Sequence, residues 1–418
     1  MKATGITAEF DPLHNGHAYI MEEARKLTGC DAVVVAMSGD FVQRGSPAVT
    51  DKWTRTESAL AAGADLVIEI PVMFCLGNAS QYAKASVSLL ESAGCGNIVF
   101  GSESGDAGLI EMTAACIRDM GEELGREISL LAKDGLSFPA ARSRAYAALR
   151  HGRASDDDIA KELSVLREPN DILALEYVMS MKQARPLAVK RKGLPHSACK
   201  TEDGRYQSAT AIRDLLYERR RSGSDLFTGL SEWMPEASLD ALKENPVTFP
   251  GDWTEVLRYA VLSSDPDLIE DCPSGGEGLG RLLKSAVHSE DSLDGIISAV
   301  KSKRYTYTRI SRLCMQVILG ISRTEYPYTE PAYIRVLGFS DRGRELLSSV
   351  KKDGTSMLPV ITNINRESHA LCSEARNMLG LDIHASDIYN LITGRGLTYN
   401  SDRIKHPVIH GSGIETRL

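Results

Sequence analysis

Residues 7–17 have the sequence Thr7-Ala8-Glu9-Phe10-Asp11-Pro12-Leu13-His14-Asn15-Gly16-His17. A short apolar segment, residues 5–6, precedes them and predicts the first strand, while the apolar spacing of residues 18–27 predicts a helix. Pro12 indicates a turn between these two elements. His14 and His17 therefore lie where a strand ends and a helix begins. At such junctions an open parallel sheet binds ligands, and helical N–H groups point at phosphates.

The residue types in this turn suit a polyphosphate. His14 and His17 are three residues apart on one face of a first helical turn, so both can donate hydrogen bonds to the same ligand. Gly16 has no Cβ and lets phosphate oxygens approach the backbone closely. Two histidines near a turn are, however, often ordinary surface residues or half of a metal site. No cysteine or acidic partner stands at ligand spacing nearby, so we expect His14 and His17 to be catalytic and expect no protein-held metal.

Strands and helices alternate in the first half of the chain. Apolar runs that predict buried strands lie at residues 31–37, 65–70, 97–100 and 187–191. The helical patterns between most of them indicate βαβ units and a parallel sheet. Loops that follow parallel strands meet at one sheet edge, so His14, Gly39 and Gly101 should converge. We therefore expect an α/β fold, with a Rossmann-like, doubly wound catalytic domain at residues 1–225.

A second set of phosphate ligands is predicted at a later helix N-terminus. Ser208 and Thr210 supply hydroxyl groups there, and Arg213 lies about one turn further along the helix. A serine cap followed by a surface arginine is the more common explanation for such residues taken alone.

The strand alternation is predicted to stop after residue 225. Helical patterns occupy residues 231–242, 253–262, 278–286, 293–300, 308–319 and 343–350. Residues 226–418 are therefore expected to form a mainly helical second domain. The glycines at 276–280 resemble a dinucleotide loop, but no predicted strand precedes them, and we interpret them as a turn.

Composition and charge limit the function classes. The chain has 418 residues, of which 43% are hydrophobic and 25% charged, and its formal net charge is −8. Nucleic-acid binding would therefore need a local basic patch. The eight cysteines form no C-x-x-C pair, which favours reduced thiols. Because neither a signal peptide nor an apolar run of membrane-spanning length is apparent, we expect a cytoplasmic protein with no membrane contact.

A basic segment in the second half is a candidate RNA contact. Residues 301–312 contain no acidic side chain. Their cations are Lys301, Lys303, Arg304, Arg309 and Arg312, and Tyr305 and Tyr307 are interleaved with them. Cations bind RNA phosphates and tyrosines stack on unpaired bases. A charge run is more often a solvated helix face. Two further basic stretches, at 185–192 and 219–221, favour RNA in an otherwise acidic protein.

Together these residues predict an ATP-dependent nucleotidyl-transfer site. The histidines would hold the phosphates and stabilise the charge that develops at the α-phosphate. No covalent enzyme intermediate is needed, because positioning and electrostatics suffice for phosphoryl chemistry.

The histidine segment resembles the signature of the nucleotidylyltransferase superfamily, with residues 208–213 in place of its second motif. The whole chain resembles the bacterial tRNA(Met) cytidine acetate ligase family. The segments that carry this resemblance are 9–17, 37–45, 62–71, 100–103, 169–173 and 303–306. Family members more often have Tyr-Asn and Phe where this chain has Phe10-Asp11 and Leu13. The extra charge of Asp11 would weaken ATP binding slightly or help to hold Mg²⁺.

The resemblance implies a two-step reaction. ATP and acetate form acetyl-adenylate and pyrophosphate, and N4 of the wobble cytidine of elongator tRNA(Met) then attacks the acetyl carbonyl, giving N4-acetylcytidine and AMP. It also implies ATP, with Mg²⁺, bound by Thr7, Ala8, Glu9, Phe10, Asp11, Pro12, Leu13, His14, Asn15, Gly16, His17, Ala18, Tyr19, Ile20, Gly101, Asn170 and Arg191. The superfamily pattern adds the 208–213 set. The helical domain, with its basic segment, would hold the tRNA.

Two alternatives remain open from the residues alone. A plain nucleotidylyltransferase would move AMP or CMP onto a small phosphorylated acceptor, although such enzymes usually need only one domain. A non-catalytic ATP- and RNA-binding protein would bind ATP without releasing pyrophosphate, although the intact histidine pair counts against it.

Overall fold

The computed structural model describes residues 1–192, 206–353, 356, 358–398 and 401–411. The strands are β1 Ala3–Ala8, β2 Ala32–Ser38, β3 Phe41–Val42, β4 Ser46–Pro47, β5 Leu66–Ile70, β6 Cys95–Ser102, β7 Arg185–Lys190, β8 Ile334–Ser340, β9 Val360–Ile361 and β10 Val408–His410.

Helices cover both faces of the sheet and build most of the second half. They are α1 Asn15–Thr28, α2 Lys52–Ala61, α3 Val72–Cys75, α4 Ala79–Ser92, α5 Ala107–Lys133, α6 Phe138–Arg150, α7 Asp156–Val165, α8 Pro169–Ser180, α9 Ala209–Ser222, α10 Glu236–Glu244, α11 Thr254–Ser263, α12 Pro266–Glu270, α13 Leu279–Ser289, α14 Leu293–Val300, α15 Tyr307–Ile318, α16 Asp341–Asp353, α17 Ile364–Glu367 and α18 Ser373–Ile392. Short 3₁₀ turns occur at Leu230–Glu232, Pro250–Trp253 and Ser368–Ala370.

The central sheet has the strand order β10-β8-β5-β2-β1-β6-β7, with β9 pairing to β8. The chain builds outward from β1 through β2 to β5 and then returns to the other side of β1 with β6. The pairs among β5, β2, β1, β6 and β7 are parallel. This confirms the predicted α/β class with a mainly parallel sheet. The topological switch lies between β1 and β6, so a ligand crevice is expected at their carboxyl ends.

The helical pattern predicted after residue 225 misses three strands, β8, β9 and β10, which all belong to the central sheet. The longest, β8, pairs antiparallel with β5 and extends the same sheet. Side chains of this segment, such as Val336, share one hydrophobic core with Ala36 of β2 and Ile68 of β5. The helices predicted between 231 and 350 are present, but the later part of the chain also completes the first core. The domain boundary at 225 stays a prediction.

A buried group of charges ties this later part to the strands that carry the site. Lys52, which has no exposed surface, lies with its Nζ 2.8 Å from a carboxylate oxygen of Glu69 and 2.8 Å from one of Asp402. Arg335 of β8 lies 3.5 Å from Asp402 and 3.7 Å from Glu69. We call these four residues the Lys52 cluster. It connects α2, β5, β8 and the segment before β10.

Two further predictions concern cysteines and membranes. Seven of the eight cysteines lie in the described residues and all seven are free thiols, whereas Cys199 lies outside them. None of the described helices combines the length and the apolar character needed to cross a bilayer.

Replacing Lys52 by methionine should lower the free energy of unfolding by about 3–5 kcal/mol, because the carboxylates of Glu69 and Asp402 would stay buried without this cation. Urea denaturation followed by circular dichroism measures the change. Lys161→Met is the matched control, since Lys161 pairs with Asp157 on an exposed helix face and such pairs contribute about 0–1 kcal/mol. Equal losses in the two variants would contradict a stabilising role for the cluster.

Candidate active site

The turn after β1 uses its two histidines to begin α1. His14 is the N-cap residue, and its Nδ1 accepts a hydrogen bond from the Gly16 N–H at 3.0 Å. The Nδ1 of His17 accepts from the His14 N–H at 3.3 Å. These reciprocal bonds form a capping box made of imidazoles rather than of hydroxyl and carboxylate groups. The rings stack with centroids 3.8 Å apart, and the edge of Phe10 contacts His17.

These hydrogen bonds determine the tautomer of each ring. A neutral imidazole whose Nδ1 accepts a backbone N–H carries its proton on Nε2. Burial, with Arg191 and Arg213 nearby, lowers the pKa of His14 to about 3. Burial, followed by His14 and Arg191, lowers the pKa of His17 well below its ordinary value. Both rings are therefore neutral near pH 7, and each keeps one N–H donor for a ligand.

A cavity of about 570 Å³ opens at the switch point between β1 and β6. The predicted ATP-site residues that line it are Thr7, Ala8, Glu9, Phe10, Asp11, His14, His17, Gly101, Asn170, Arg191, Ser208, Thr210 and Arg213. Gly16 and Tyr19 line a smaller neighbouring cavity that shares His14, His17, Arg191 and Ser208 with the first. The structure therefore brings both predicted phosphate-binding sets together.

Several residues of the predicted 7–20 range do not line the cavities, namely Pro12, Leu13, Asn15, Ala18 and Ile20. Leu13 packs in the core with Phe10 and Met21, so the family difference at this position changes core packing rather than a ligand contact. The Asn15 side chain donates to the Glu232 carbonyl at 2.9 Å. Gly39, also expected at this edge, lies instead against Glu69, whose carboxylate oxygen would be 2.4 Å from a Cβ at that position.

Arg213 reaches the histidine turn from α9. Its Nη1 donates to the Asp11 carboxylate at 3.0 Å and also to the Asp11 carbonyl, while Nη2 donates to Thr210 Oγ1 at 3.2 Å. The other Asp11 carboxylate oxygen accepts from the Val49 N–H. Both carboxylate oxygens of Asp11 are thus engaged, which disfavours the expected role in holding Mg²⁺. Ser208 caps α9 through the Ala211 N–H at 3.2 Å, as the alternative interpretation anticipated.

A second cation stands across the cavity. Arg191, just after β7, donates to Asn170 Oδ1 at 2.9 Å, and Asn170 in turn donates to Glu103. These bonds join the ends of β6 and β7 to the first turn of α8. Gly101 lies beside them, and a Cβ there would meet Ile20 at 3.2 Å and Arg191 at 3.5 Å. A side chain at 101 would therefore crowd both α1 and the cation.

A buried guanidinium holds the strand ends around the cavity. Arg55 has 1% of its surface exposed and donates to the carbonyl oxygens of Glu9, Ser38, Gly39 and Thr50. One side chain thus donates to four backbone acceptors at the ends of neighbouring elements. The ends of β1 and β2 are thereby fixed relative to α2.

Sequence reasoning missed other lining residues, including Gln43, Arg44, Tyr82, Tyr177 and Thr308. The polar, glycine-bearing loop after β2 signalled Gln43 and Arg44, since it follows a parallel strand at the same edge. Thr308 comes from α15, and no local pattern connects it to the histidines.

Helix α15 approaches this loop closely at Gly45. A Cβ at Gly45 would lie 2.3 Å from the Arg312 nitrogen, and Ser311 Oγ donates to the Gly45 carbonyl at 2.7 Å. Arg312 Nη1 donates to the Gln43 carbonyl at 3.3 Å. Burial, with Arg309 nearby, lowers the pKa of Arg312 to about 10.

The predicted basic segment is therefore only partly on the surface. Lys301, Lys303 and Arg304 are exposed, although Arg304 pairs with Glu277. Arg309 donates to the Ser274 and Gly275 carbonyls at 3.1 Å each. Tyr305 is 9% exposed, so the expectation that its ring stacks on bases is disfavoured.

A second cavity of about 250 Å³ adjoins the first and shares Arg44, Arg213 and Thr308 with it. Its other lining residues include four aromatic side chains, Tyr217, Phe249, Trp253 and Tyr307. Within the described ranges, no group of three or more His, Cys, Asp or Glu side chains is arranged to hold a metal ion.

Comparisons with known proteins agree over nearly the full chain. A family model described as HIGH Nucleotidyl Transferase matches residues 1–403. A curated tRNA(Met) cytidine acetate ligase of Clostridium perfringens is 35% identical over 416 residues, covering 98% of this chain and 100% of that protein. One of Caldanaerobacter subterraneus, with the same name, is 34% identical over 405 residues, covering 94% and 95%.

Solved structures also match. The crystal structure of Thermotoga maritima TmcAL bound with alpha-thio ATP has a TM-score of 0.87 and 29% identity, and covers 99% of this chain and 100% of that one. The apo form of the same protein has a TM-score of 0.88, with the same identity and coverage.

The tautomers of His14 and His17 can be observed directly. In long-range ¹H–¹⁵N spectra of histidine-labelled protein, we expect both residues as Nε2–H tautomers with no midpoint between pH 5 and 8, because burial keeps them neutral. The His14→Ala and His17→Ala variants assign the signals. A titration near pH 6.5 in the folded protein would contradict this description.

The lowered pKa of His14 also predicts how the free energy of unfolding changes with pH. Because the pKa of His14 is lower in the folded than in the unfolded chain, the unfolded chain binds more protons as pH falls below about 6.5. We expect the free energy of unfolding to decrease in that window, and less steeply in His14→Ala, as measured by urea denaturation at pH 7 and pH 5.

Proposed function

The chain belongs to the HIGH nucleotidyl transferase family and, within it, to the tRNA(Met) cytidine acetate ligases, and from this we propose its reaction. It uses ATP to activate acetate as acetyl-adenylate and transfers the acetyl group to N4 of the wobble cytidine of elongator tRNA(Met). The observation that carries the proposal is the pair of neutral histidines between Arg191 and Arg213 in one cavity at the switch point.

Adenylation needs stabilisation of charge on phosphate oxygens. A carboxylate oxygen of acetate attacks the α-phosphorus of ATP, and the bond to the leaving pyrophosphate breaks. The Nε2–H groups of His14 and His17 donate to phosphate oxygens, and Arg191 and Arg213 supply the positive charge. Neutral histidine donors suit this task because the Nε2 proton of a neutral imidazole is too weakly acidic to be transferred to a phosphate, so the hydrogen bond is kept.

ATP would enter with Mg²⁺, and the ion would be held mainly by phosphate oxygens. The engaged oxygens of Asp11 support this arrangement, since they are not offered to the ion. The ion would then neutralise the departing pyrophosphate.

The acceptor cytidine would approach through the second cavity. Tyr217 and Tyr307, the two exposed aromatic residues of its lining, would stack on an unstacked base, and Arg44 and Arg213 stand where this cavity joins the ATP cavity. The exposed cations Lys301 and Lys303 lie in the segment that leads into α15, which also carries Thr308 and Tyr307 of the two cavities. They would contact phosphates next to the flipped nucleotide.

His17→Ala should lower ATP-dependent transfer of labelled acetate to tRNA by about 10²- to 10³-fold, because it removes a preorganised donor to the phosphates. The measurement is incorporation of [¹⁴C]acetate into total tRNA, with and without ATP. His17→Gln, which keeps an N–H donor, should retain more activity. Near-full activity in His17→Ala would contradict the assignment, and label that is independent of ATP would contradict the reaction itself.

Reversing the charges of Lys301 and Lys303 to glutamate should raise the KM for tRNA by at least about tenfold, because each replaced cation loses its phosphate contact. The salt dependence of tRNA binding should become weaker for the same reason. The double variant Lys133→Glu, Lys161→Glu makes the same charge change on α5 and α7 and serves as control. Equal tRNA affinity in the two double variants would refute this tRNA contact.

A further inference from the structure

Acetyl transfer needs a proton acceptor as well as an activated carbonyl. The exocyclic amine of cytosine is conjugated with its ring and is a weak nucleophile, and its N–H becomes acidic only as the new C–N bond forms. A base beside the acetyl group would therefore accelerate the step. This inference rests on the proposed function and concerns which residue accepts that proton.

The histidines are excluded as this base by their hydrogen bonds. Each Nδ1 already accepts a backbone N–H, from Gly16 for His14 and from His14 for His17, and each Nε2 carries the proton. Neither ring has a free lone pair. Asp11 is excluded because Arg213 and the Val49 N–H occupy its two oxygens.

The cavity tyrosines are excluded as well. Burial is the largest effect on both Tyr82 and Tyr177, and it raises the pKa of each phenol far above neutral pH. Both hydroxyls stay protonated, so neither accepts a proton during catalysis.

Glu9 remains, and its geometry fits the role. Glu9 directly follows β1, at the start of the histidine turn, and it lines the main cavity together with both histidines. Its Oε1 accepts from the Gln43 N–H at 2.7 Å, while no hydrogen bond to Oε2 is found among residues the structure describes. Phe10, which follows, has a φ of 51° and a fully buried ring. This left-handed residue turns the chain directly after Glu9 and keeps the carboxylate at the cavity.

We propose that Glu9 is the general base of acetyl transfer. The N4 lone pair attacks the acetyl carbonyl carbon of acetyl-adenylate, and the C=O π electrons move to oxygen. Glu9 Oε2 accepts one N4 proton as the C–N bond forms. The oxygen electrons then restore the carbonyl, the acyl C–O bond to phosphate breaks, and AMP leaves with that electron pair. N4-acetylcytidine keeps the second N4 hydrogen, and Glu9 later releases its proton to water.

The surroundings of Glu9 make its carboxylate more basic than an exposed one. Burial and then the negative charge of Asp11 raise its pKa, whereas Arg44, the Gln43 N–H and Arg213 act in the opposite direction. Tyr82 and Tyr177 face it from α4 and α8 as neutral phenols. A carboxylate whose pKa lies closer to the working pH is a stronger proton acceptor than an ordinary carboxylate, and it is therefore a more effective general base.

The test separates the two half-reactions in Glu9→Gln. We expect tRNA acetylation in single turnover to fall by about 10²- to 10³-fold, with acetyl-adenylate accumulating, because the amide cannot accept a proton. Hydroxylamine needs no general base, so its reaction with the accumulated adenylate should yield acetohydroxamate at a rate much closer to that of the wild type. Glu9→Asp, which keeps a carboxylate, should recover part of the tRNA acetylation.

The pH profile and a second variant complete the experiment. Wild-type transfer should rise with pH as Glu9 ionises and then level off, while Glu9→Gln should lose this dependence. Asp11→Asn is the matched control and should lower both half-reactions together, since Asp11 positions Arg213. An equal loss of both half-reactions in Glu9→Gln, or wild-type transfer in that variant, would overturn the inference. A wild-type enzyme that makes no acetyl-adenylate would instead overturn the proposed function and, with it, this assignment.

Discussion

The guanidinium of Arg55 donates to the carbonyl oxygens of Glu9, Ser38 and Gly39, deep inside the protein and at the carboxyl ends of β1 and β2. Strand ends of this kind are normally solvated, because their carbonyls have lost their sheet partners. Here one cation from α2 satisfies them, and the loops that leave both strands start from fixed positions. The histidine turn follows the first of these strands, and the Gln43–Arg44 loop follows the second. Both walls of the main cavity thus depend on a single buried side chain.

Charge is divided between residue types in the site. His14 and His17 are neutral and contribute oriented hydrogen-bond donors. The positive charge comes from Arg191 and Arg213, and Asn170 and Asp11 hold these two side chains in place. The protein as a whole is acidic, with a net charge of −8, so attraction of the anionic substrates depends on local groups of cations such as this pair of arginines. The site can therefore favour phosphates without making the entire surface adhere to nucleic acid.

The sequence was most informative where a local pattern carries the chemistry. The histidine turn, the parallel strands and the approach of Gly101 to the histidines follow from strand–helix alternation, since parallel strands place their following loops together. Ser208, Thr210 and Arg213 were predicted as a separate phosphate-binding set, and only the structure places them in the same cavity. Distant packing was not predictable. The strand at 334–340 follows a long run of helices, and Arg335 interrupts its apolar run, so nothing local distinguished it. Arg312 and Tyr305 belong to a basic segment that is evident in the sequence. Tertiary contacts nevertheless decide which side chains of this segment face water. Arg312 contacts a residue more than two hundred positions away, and Tyr305 is buried against a neighbouring turn.

The antiparallel pairing of β8 with β5 also has a consequence for synthesis on the ribosome. Until residues 334–340 have left the exit tunnel, β5 is an edge strand with unpaired N–H and C=O groups, and Lys52 and Glu69 lack the arginine and the aspartate that complete their cluster. Residues 1–225 thus emerge first, and β5 stays an open edge for more than one hundred further codons, from residue 225 to residue 340. Because β5 and its buried charges are completed by residues 334–340 and 402, the parts of the chain before and after residue 225 are poorly suited to being exchanged as independent genetic modules.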